Sequence, residues 1–102
     1  MKIRNFKEAE AFLRKELQGT QFENHPLVDW GGGDGEEDIK PFRIETKNDV
    51  MLIGTVFPEG GVEYSVYDLK GDRWVGEAGT LELAALVYGR LVKHRSGKVK
   101  KR

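Results

Sequence analysis

The chain has 102 residues, enough for one domain with one hydrophobic core, and its 17 lysines and arginines balance its 17 aspartates and glutamates. The neutral total favours no class of partner, and the lack of cysteine excludes disulfides, thiolate catalysis and cysteine-based zinc sites. No apolar run approaches the roughly 20 residues that cross a bilayer, so we expect a cytoplasmic protein with no membrane contact.

The N-terminal segment has the pattern of an amphipathic helix. Asn5, followed three positions later by Glu8, resembles a capping box, and apolar residues then recur at helical spacing as far as Leu17. Gly19 is a suitable residue just beyond a helix end. We predict a helix over residues 6–18.

The stretch "DWGGGDGEED", residues 29–38, combines glycines with clustered acids. A calcium loop centred on Gly35 would place Trp30 and Gly32 at ligand positions, and a phosphate-binding loop would not be followed by acids. We therefore expect an acidic, solvated loop without a metal or cofactor. An irregular cation site is the alternative, and its ligands would be Asp34, Glu36 and Asp38.

Four strand-like segments follow, with turn signals at residues 48–49, 58–61 and 70–71. They predict a three- to four-stranded antiparallel meander. Loops of two, four and two residues set a register with one unbroken aliphatic row on the face toward the helices. That row is Ile44, Ile53, Val66 and Val75. The opposite face would carry Leu52, Tyr67 and Trp74 beside a flat strip formed by Gly54, Ser65 and Gly76. Either the segment over residues 20–41 folds back over this face, with Trp30 or Phe22 packed on Trp74, or the face stays open as an interaction surface.

The last element is a helix predicted over residues 81–94, with Thr80 as its N-cap and Glu82 in its first turn. Its segment "LELAALVYGRLV" is apolar around most of the circumference, so we expect this helix to be well buried on one sheet face. The fold class is thus α+β, a single domain over residues 1–95 followed by a basic flexible tail over residues 96–102.

This element order is similar to that of the double-stranded-RNA-binding domain, and "GEAGTLELAAL" (residues 76–86) lies where that domain has its last loop and helix. Leu81, Glu82 and Leu83 replace the phosphate-binding lysines of that family, so the resemblance does not imply RNA binding. The architecture alone also resembles small phage-encoded inhibitors such as anti-CRISPR proteins. This second resemblance implies an inhibitor or regulator from a mobile element.

Catalytic constellations are not supported by the sequence. The serines are Ser65, in a predicted strand, and Ser96, in the basic tail, and neither has a histidine–acid arrangement near it in sequence. His25 and Asp29 would make a poor metal site, and His94 is better placed to complement the dipole of the last helix. We expect a protein that is not an enzyme.

Two functional hypotheses follow, with a structural protein of unknown role as a further alternative. The first is a protein-binding module that holds a protein partner or its own copy on the open sheet face. Its predicted contact residues are Arg43, Leu52, Tyr67 and Trp74, with Asp34, Glu36, Glu37 and Asp38 at the margin. The alternative is nucleic-acid binding through the basic C-terminal segment. That site would comprise Lys93, Arg95, Lys98, Lys100, Lys101 and Arg102.

Overall fold

The computed structural model describes residue 3, residues 5–30 and residues 40–100, with the backbone alone over residues 96–100. Within these residues the protein is α+β, with an N-terminal helix, an antiparallel sheet and a C-terminal helix that packs on the sheet. The elements are α1 (Phe6–Glu16), β1 (Val28–Asp29), β2 (Lys40–Lys47), β3 (Val50–Val56), β4 (Val62–Asp68), β5 (Arg73–Ala78) and α2 (Leu81–Lys100).

The sheet has five strands in the order β1-β2-β3-β4-β5, so each strand pairs with its neighbours in sequence. The predicted count of three to four strands was too low because β1 was missed. This strand has two residues, which pair Val28 with Arg43 and Asp29 with Phe42. Two residues are too few to show the alternation by which a strand is recognised in a sequence.

Helix α1 begins as predicted, because the side chain of Asn5 accepts a hydrogen bond from the Glu8 amide at 2.8 Å. It ends at Glu16 with Leu17 as its C-cap, two residues before the predicted end at residue 18. Gly19 follows with a φ of 81°, in the left-handed region that glycine adopts without strain.

Helix α1 packs on the centre of the sheet, where Gly54 of β3 permits a close approach. A Cβ atom at residue 54 would lie 3.2 Å from Ile44 Cδ1 and 3.4 Å from both Leu13 Cδ atoms. Gly54 therefore faces the helices, and its predicted place in the strip on the opposite face was wrong.

The predicted register between β3 and β4 was wrong by one residue. Val56 pairs with Val62, so the connection is the five-residue segment 57–61 rather than the four residues of the prediction. Ile53 consequently pairs with Ser65, while Val66 pairs with Leu52. Because neighbours on one strand point to opposite faces, Ile53 and Val66 lie on opposite sides of the sheet, and the predicted aliphatic row does not exist.

The two outer hairpins keep the predicted register near their turns and lose it further along. Asn48 and Asp49 have φ values of 52° and 65°, which fit a two-residue turn of the I′ type. Beyond the turn, β2 has a bulge at Ile44, and β5 has one at Val75. A bulge adds one residue to one strand only, so each shifts the pairing by one position.

The hydrophobic core lies between the two helices and one face of the sheet. Its strand residues are Phe42, Ile44, Val50, Leu52, Val56, Tyr64 and Val66, and its helix residues include Ala9, Leu13, Ala84 and Tyr88. The predicted core member Val75 is instead 39% exposed. Ile44 and Val66 are in the core as predicted.

Helix α2 runs to Lys100, beyond the predicted end at residue 94, so the predicted start of the tail at residue 96 falls inside the helix. Near its C-terminal half it is fixed to the turn between β2 and β3, because the Asn48 side-chain amide donates to the Val92 carbonyl at 3.1 Å. No helix in the part of the chain that the structure describes is long and apolar enough to span a membrane.

Candidate functional site

Three aromatic rings cluster on the sheet face that points away from the helices. Tyr67 and Trp74 are directly paired on β4 and β5, as the turn predicted, and their ring centroids lie 4.9 Å apart. Trp30, just after β1, packs edge-on against Trp74 at 5.6 Å and lies 5.9 Å from Tyr67. The Tyr67 hydroxyl donates to Asp72, which fixes the ring and raises the pKa of Tyr67. The cluster is thus a preorganised aromatic surface.

This far face is closed at its centre. Met51 and Ile53 point away from the helices, yet they are 3% and 0% exposed. An open sheet face would leave both side chains in water. The contact of Trp30 with Trp74 instead agrees with the alternative in which the segment after α1 folds back over this face. Of the predicted contact residues, Arg43 lies on this face opposite Ile53 and is half-buried, and Trp74 is exposed.

Leu52 does not belong to this surface. It was predicted beside Tyr67, but the register shift between β3 and β4 pairs it with Val66 on the helix side, where it is fully buried. Met51 occupies the place opposite Tyr67 instead. Gly76 also faces the helices, because a Cβ atom there would lie 3.5 Å from Val87 Cγ1 of α2.

In the part of the chain that the structure describes, further exposed apolar side chains lie on β5 and on α2, beside the aromatic cluster. We call this set, with Trp74 included, the β5 edge surface and define it by five residues. They are Trp74 (50% exposed), Val75 (39%), Leu83 (56%), Leu86 (52%) and Val87 (36%).

Continuity of the β5 edge surface follows from the chain and from the packing of α2. Val75 follows Trp74 directly, a Cβ atom on the next residue, Gly76, would lie 3.5 Å from Val87 Cγ1, and Leu83 lies one helical turn from Val87. The expectation of a well-buried last helix was therefore wrong on this side. A helix with apolar residues all around it predicts such an exposed surface, because one sheet can cover only one side of the helix.

The basic end of α2 is partly neutralised. Arg95 forms an ion pair with Asp68 in which Nη2 and Oδ1 are 2.6 Å apart, and Asp68 is 4% exposed. Arg95 holds the pKa of Asp68 below its usual value, assisted by the Gly71 and Lys70 amides. Arg95 also donates to the Asn48 carbonyl at 3.4 Å, so its predicted role in nucleic-acid binding conflicts with a structural one.

A second group of polar side chains lies on the helix side. His25 Nε2 is 3.5 Å from Glu45 Oε1, a distance that makes an ion pair only when the histidine is protonated. Burial, together with the neighbouring Glu45 carboxylate, raises the pKa of Tyr88, so its hydroxyl stays protonated. Among the described residues no group of three or more His, Asp or Glu side chains could hold a metal ion.

Several predicted site residues lie outside the part that the structure describes. They are Asp34, Glu36, Glu37 and Asp38 of the acidic stretch, together with Lys101 and Arg102, and also the side chains of Lys98 and Lys100. Comparisons with protein-family models, with curated proteins and with solved structures found no match to this chain. The five-stranded sheet also departs from the three strands of the double-stranded-RNA-binding domain.

Proposed function

We propose that the chain is a small non-catalytic protein-binding module and that its partner docks on the β5 edge surface. The observation that supports this is the exposure of four aliphatic side chains and one tryptophan on two consecutive elements, β5 and α2. Contiguous apolar patches on a small protein commonly mark interaction sites, and tryptophan is among the residues that contribute most binding energy.

The shape of the surface favours a protein over a small ligand. Leu83 and Leu86 stand on the outer side of a helix, where they project rather than line a cleft. The bulge at Val75 makes the β5 edge irregular, and Arg73 and Glu77 place charges along it. Both features disfavour addition of a further strand, so the contact would be made by side chains.

Charges around the surface fit a partner with its own acidic and basic groups. Glu82 lies beside the first leucine of the patch, while Arg90 and Lys93 lie beyond its other end, and all three residues are exposed. A second copy of α2 in antiparallel orientation would bring acid to base at both ends. A foreign helix with the same distribution of charge would do the same.

Nucleic-acid binding through the C-terminal half of α2 is the second candidate. It is favoured by the continuation of the helix to Lys100, which gives the basic segment a regular backbone. It is weakened by the pairing of Arg95 with Asp68, which removes one of the predicted phosphate contacts. Such binding would fall steeply with salt concentration, whereas docking on an apolar surface would not.

Site-specific photo-crosslinking in the native cells tests the proposal. A benzophenone amino acid is placed at Leu86 or, as the control, at Val28, which is 40% exposed on the opposite edge of the sheet. We expect one protein adduct from position 86, either a foreign chain or a second copy, and none from position 28. The purified partner should bind Leu83→Ser about tenfold or more weakly, since a central anchor contributes at least about 1.4 kcal/mol.

The matched pair Val75→Ser and Val28→Ser then separates the two edges of the sheet. Both valines are about equally exposed, at 39% and 40%, and both lie on edge strands. Val75→Ser should weaken binding and Val28→Ser should not. Equal adducts from both crosslinking positions, or adducts to nucleic acid alone, would contradict the proposal.

A further inference from the structure

A cavity of about 590 Å³ lies at the end of the molecule where α1 ends and α2 begins. Its walls are the second half of α1, the turn after it, the loop between β3 and β4, and the first turn of α2. Small-molecule sites in proteins commonly enclose about 300–1,000 Å³. The cavity therefore has the size of a ligand site, and it lies apart from the β5 edge surface.

Part of the cavity lining is apolar. Phe12 projects from α1, Phe22 from the following turn, Val62 from β4 and Leu81 from α2. Phe22 is almost fully buried, at 3% exposed, so its ring is held in place. Two phenyl rings and two aliphatic side chains would receive a flat aromatic or branched aliphatic group through dispersion and burial of apolar area.

Among the described residues, the charged side chains of the lining are negative. They are Glu16 and Glu82, and no described lysine, arginine or histidine lines the cavity. The Glu16 carboxylate is close enough to act on Tyr64, whose pKa is raised to about 12 by burial and by that charge. Tyr64 therefore presents a neutral hydroxyl group, and the electrostatic preference of the cavity is for a cation.

The start of α2 does not reverse this preference. A helix N-terminus attracts anions through its free amides and its dipole. Here the Thr80 hydroxyl accepts from the Leu83 amide at 3.3 Å, and Glu82 places a carboxylate in the first turn. One amide is thus satisfied and the positive end of the dipole is offset.

Glycines leave space on the side of the loops. A Cβ atom at Gly60, Gly61 or Gly79 would meet no atom within 4 Å, so these positions form a wall without side chains and without close neighbours. An elongated molecule could lie with its apolar part on the apolar side of the lining and its polar end near the carboxylates.

We propose that the α1–α2 cavity binds a small organic cation, namely a primary amine that carries an aromatic body. The ring packs against Phe12, Val62 and Leu81, with the buried Phe22 ring supporting them from below, and the ammonium group is held by Glu16 and Glu82. The Tyr64 hydroxyl offers a further hydrogen bond.

Three indole compounds of similar shape provide the test: tryptamine as cation, tryptophol as neutral analogue and indole-3-propionate as anion. Each is titrated into ¹⁵N-labelled protein, and dissociation constants are taken from the amide shifts of Gly60, Gly79 and Leu81. We expect tryptamine to bind best and the anion worst. Glu16→Gln and Glu82→Gln should each weaken tryptamine about two- to fivefold, as for exposed charge pairs, and leave tryptophol unchanged.

Two controls make the test decisive. Glu77→Gln makes the same charge change on β5, away from the cavity, and should leave all three constants unchanged. Ala85→Phe should fill the cavity and abolish binding of every compound, with thermal unfolding used to show that this variant is folded. Preference for the anion, shifts confined to other residues, or tryptamine binding in both glutamine variants that equals that of the parent would overturn the proposal.

Discussion

Replacing Leu52 by alanine should destabilise the protein strongly, whereas Val75→Ala should not. Leu52 is fully buried between the sheet and the helices, and the substitution removes three carbon atoms from that site. At about 0.8 kcal/mol for each buried methylene-sized group, the lost burial alone is about 2.4 kcal/mol. A cavity term adds to this, so we expect about 2.5–5 kcal/mol in total. Val75→Ala removes two carbons from a half-exposed bulge and should cost less than about 0.5 kcal/mol.

Urea unfolding followed by circular dichroism measures both changes. With a slope of about 1–3 kcal/mol per molar urea, the Leu52→Ala midpoint should fall by at least about 0.8 M, and at the same slope the Val75→Ala midpoint should fall by at most about one fifth as much. The meander predicted from turn lengths reverses this order, because it places Val75 in the core and Leu52 on the open face. A cost for Val75→Ala equal to that for Leu52→Ala would refute the observed register.

Three smaller predictions concern single interactions. Asn5→Ala should cost about 0.5–2 kcal/mol through loss of the α1 cap, seen as a lower melting temperature; an unchanged value would contradict the cap. Because Arg95 lowers the folded-state pKa of Asp68, their ion pair stabilises the fold at pH values above the unfolded pKa of about 3.9 and is lost as pH falls further. Unfolding of Asp68→Asn should accordingly depend less on pH below about 4 than that of the parent, and equal acid slopes would exclude this linkage. A double-mutant cycle of Trp30→Ala and Trp74→Ala should show a coupling of about 0.5–1.5 kcal/mol for their edge-to-face contact, and no coupling would argue against it.

The element order could be predicted from the sequence, but the assignment of residues to sheet faces could not. Strand β3, "VMLIGTV", is buried on both faces, so its residues do not alternate in a way that selects the face toward the helices. Register then depended on loop length alone. The Phe57 amide donates to the Gly61 carbonyl at 2.8 Å, which places Phe57 opposite Gly61. The predicted loop over residues 58–61 placed Phe57 opposite Val62, so all of β4 is displaced by one residue. The two β-bulges could not be predicted either, because nothing in the hydrophobic pattern of the strands marks an extra residue.

The candidate site was predictable only in part for a related reason. The pairing of Tyr67 with Trp74 depends on one short hairpin, and local turn chemistry was enough to find it. Leu83 and Leu86 are exposed because no other described element packs on their side of α2. A hydrophobic pattern in the sequence does not show how many sides of a helix are covered. The contact of Trp30 with Trp74 was one of the two alternatives for this face, but no local signal in the sequence chose between a covered and an open face.

Deleting the extra residue would have different effects on the fold at the two β-bulges, Ile44 in β2 and Val75 in β5. Without Val75, Trp74 would be followed directly by Gly76, and both would keep their partners on β4, so the hairpin would become regular with no change of face. Without Ile44, pairing would also become regular, but the core would lose a side chain that is 2% exposed. We therefore expect deletion of Ile44 to destabilise the fold and deletion of Val75 to leave it folded, with one exposed apolar side chain fewer on the β5 edge surface.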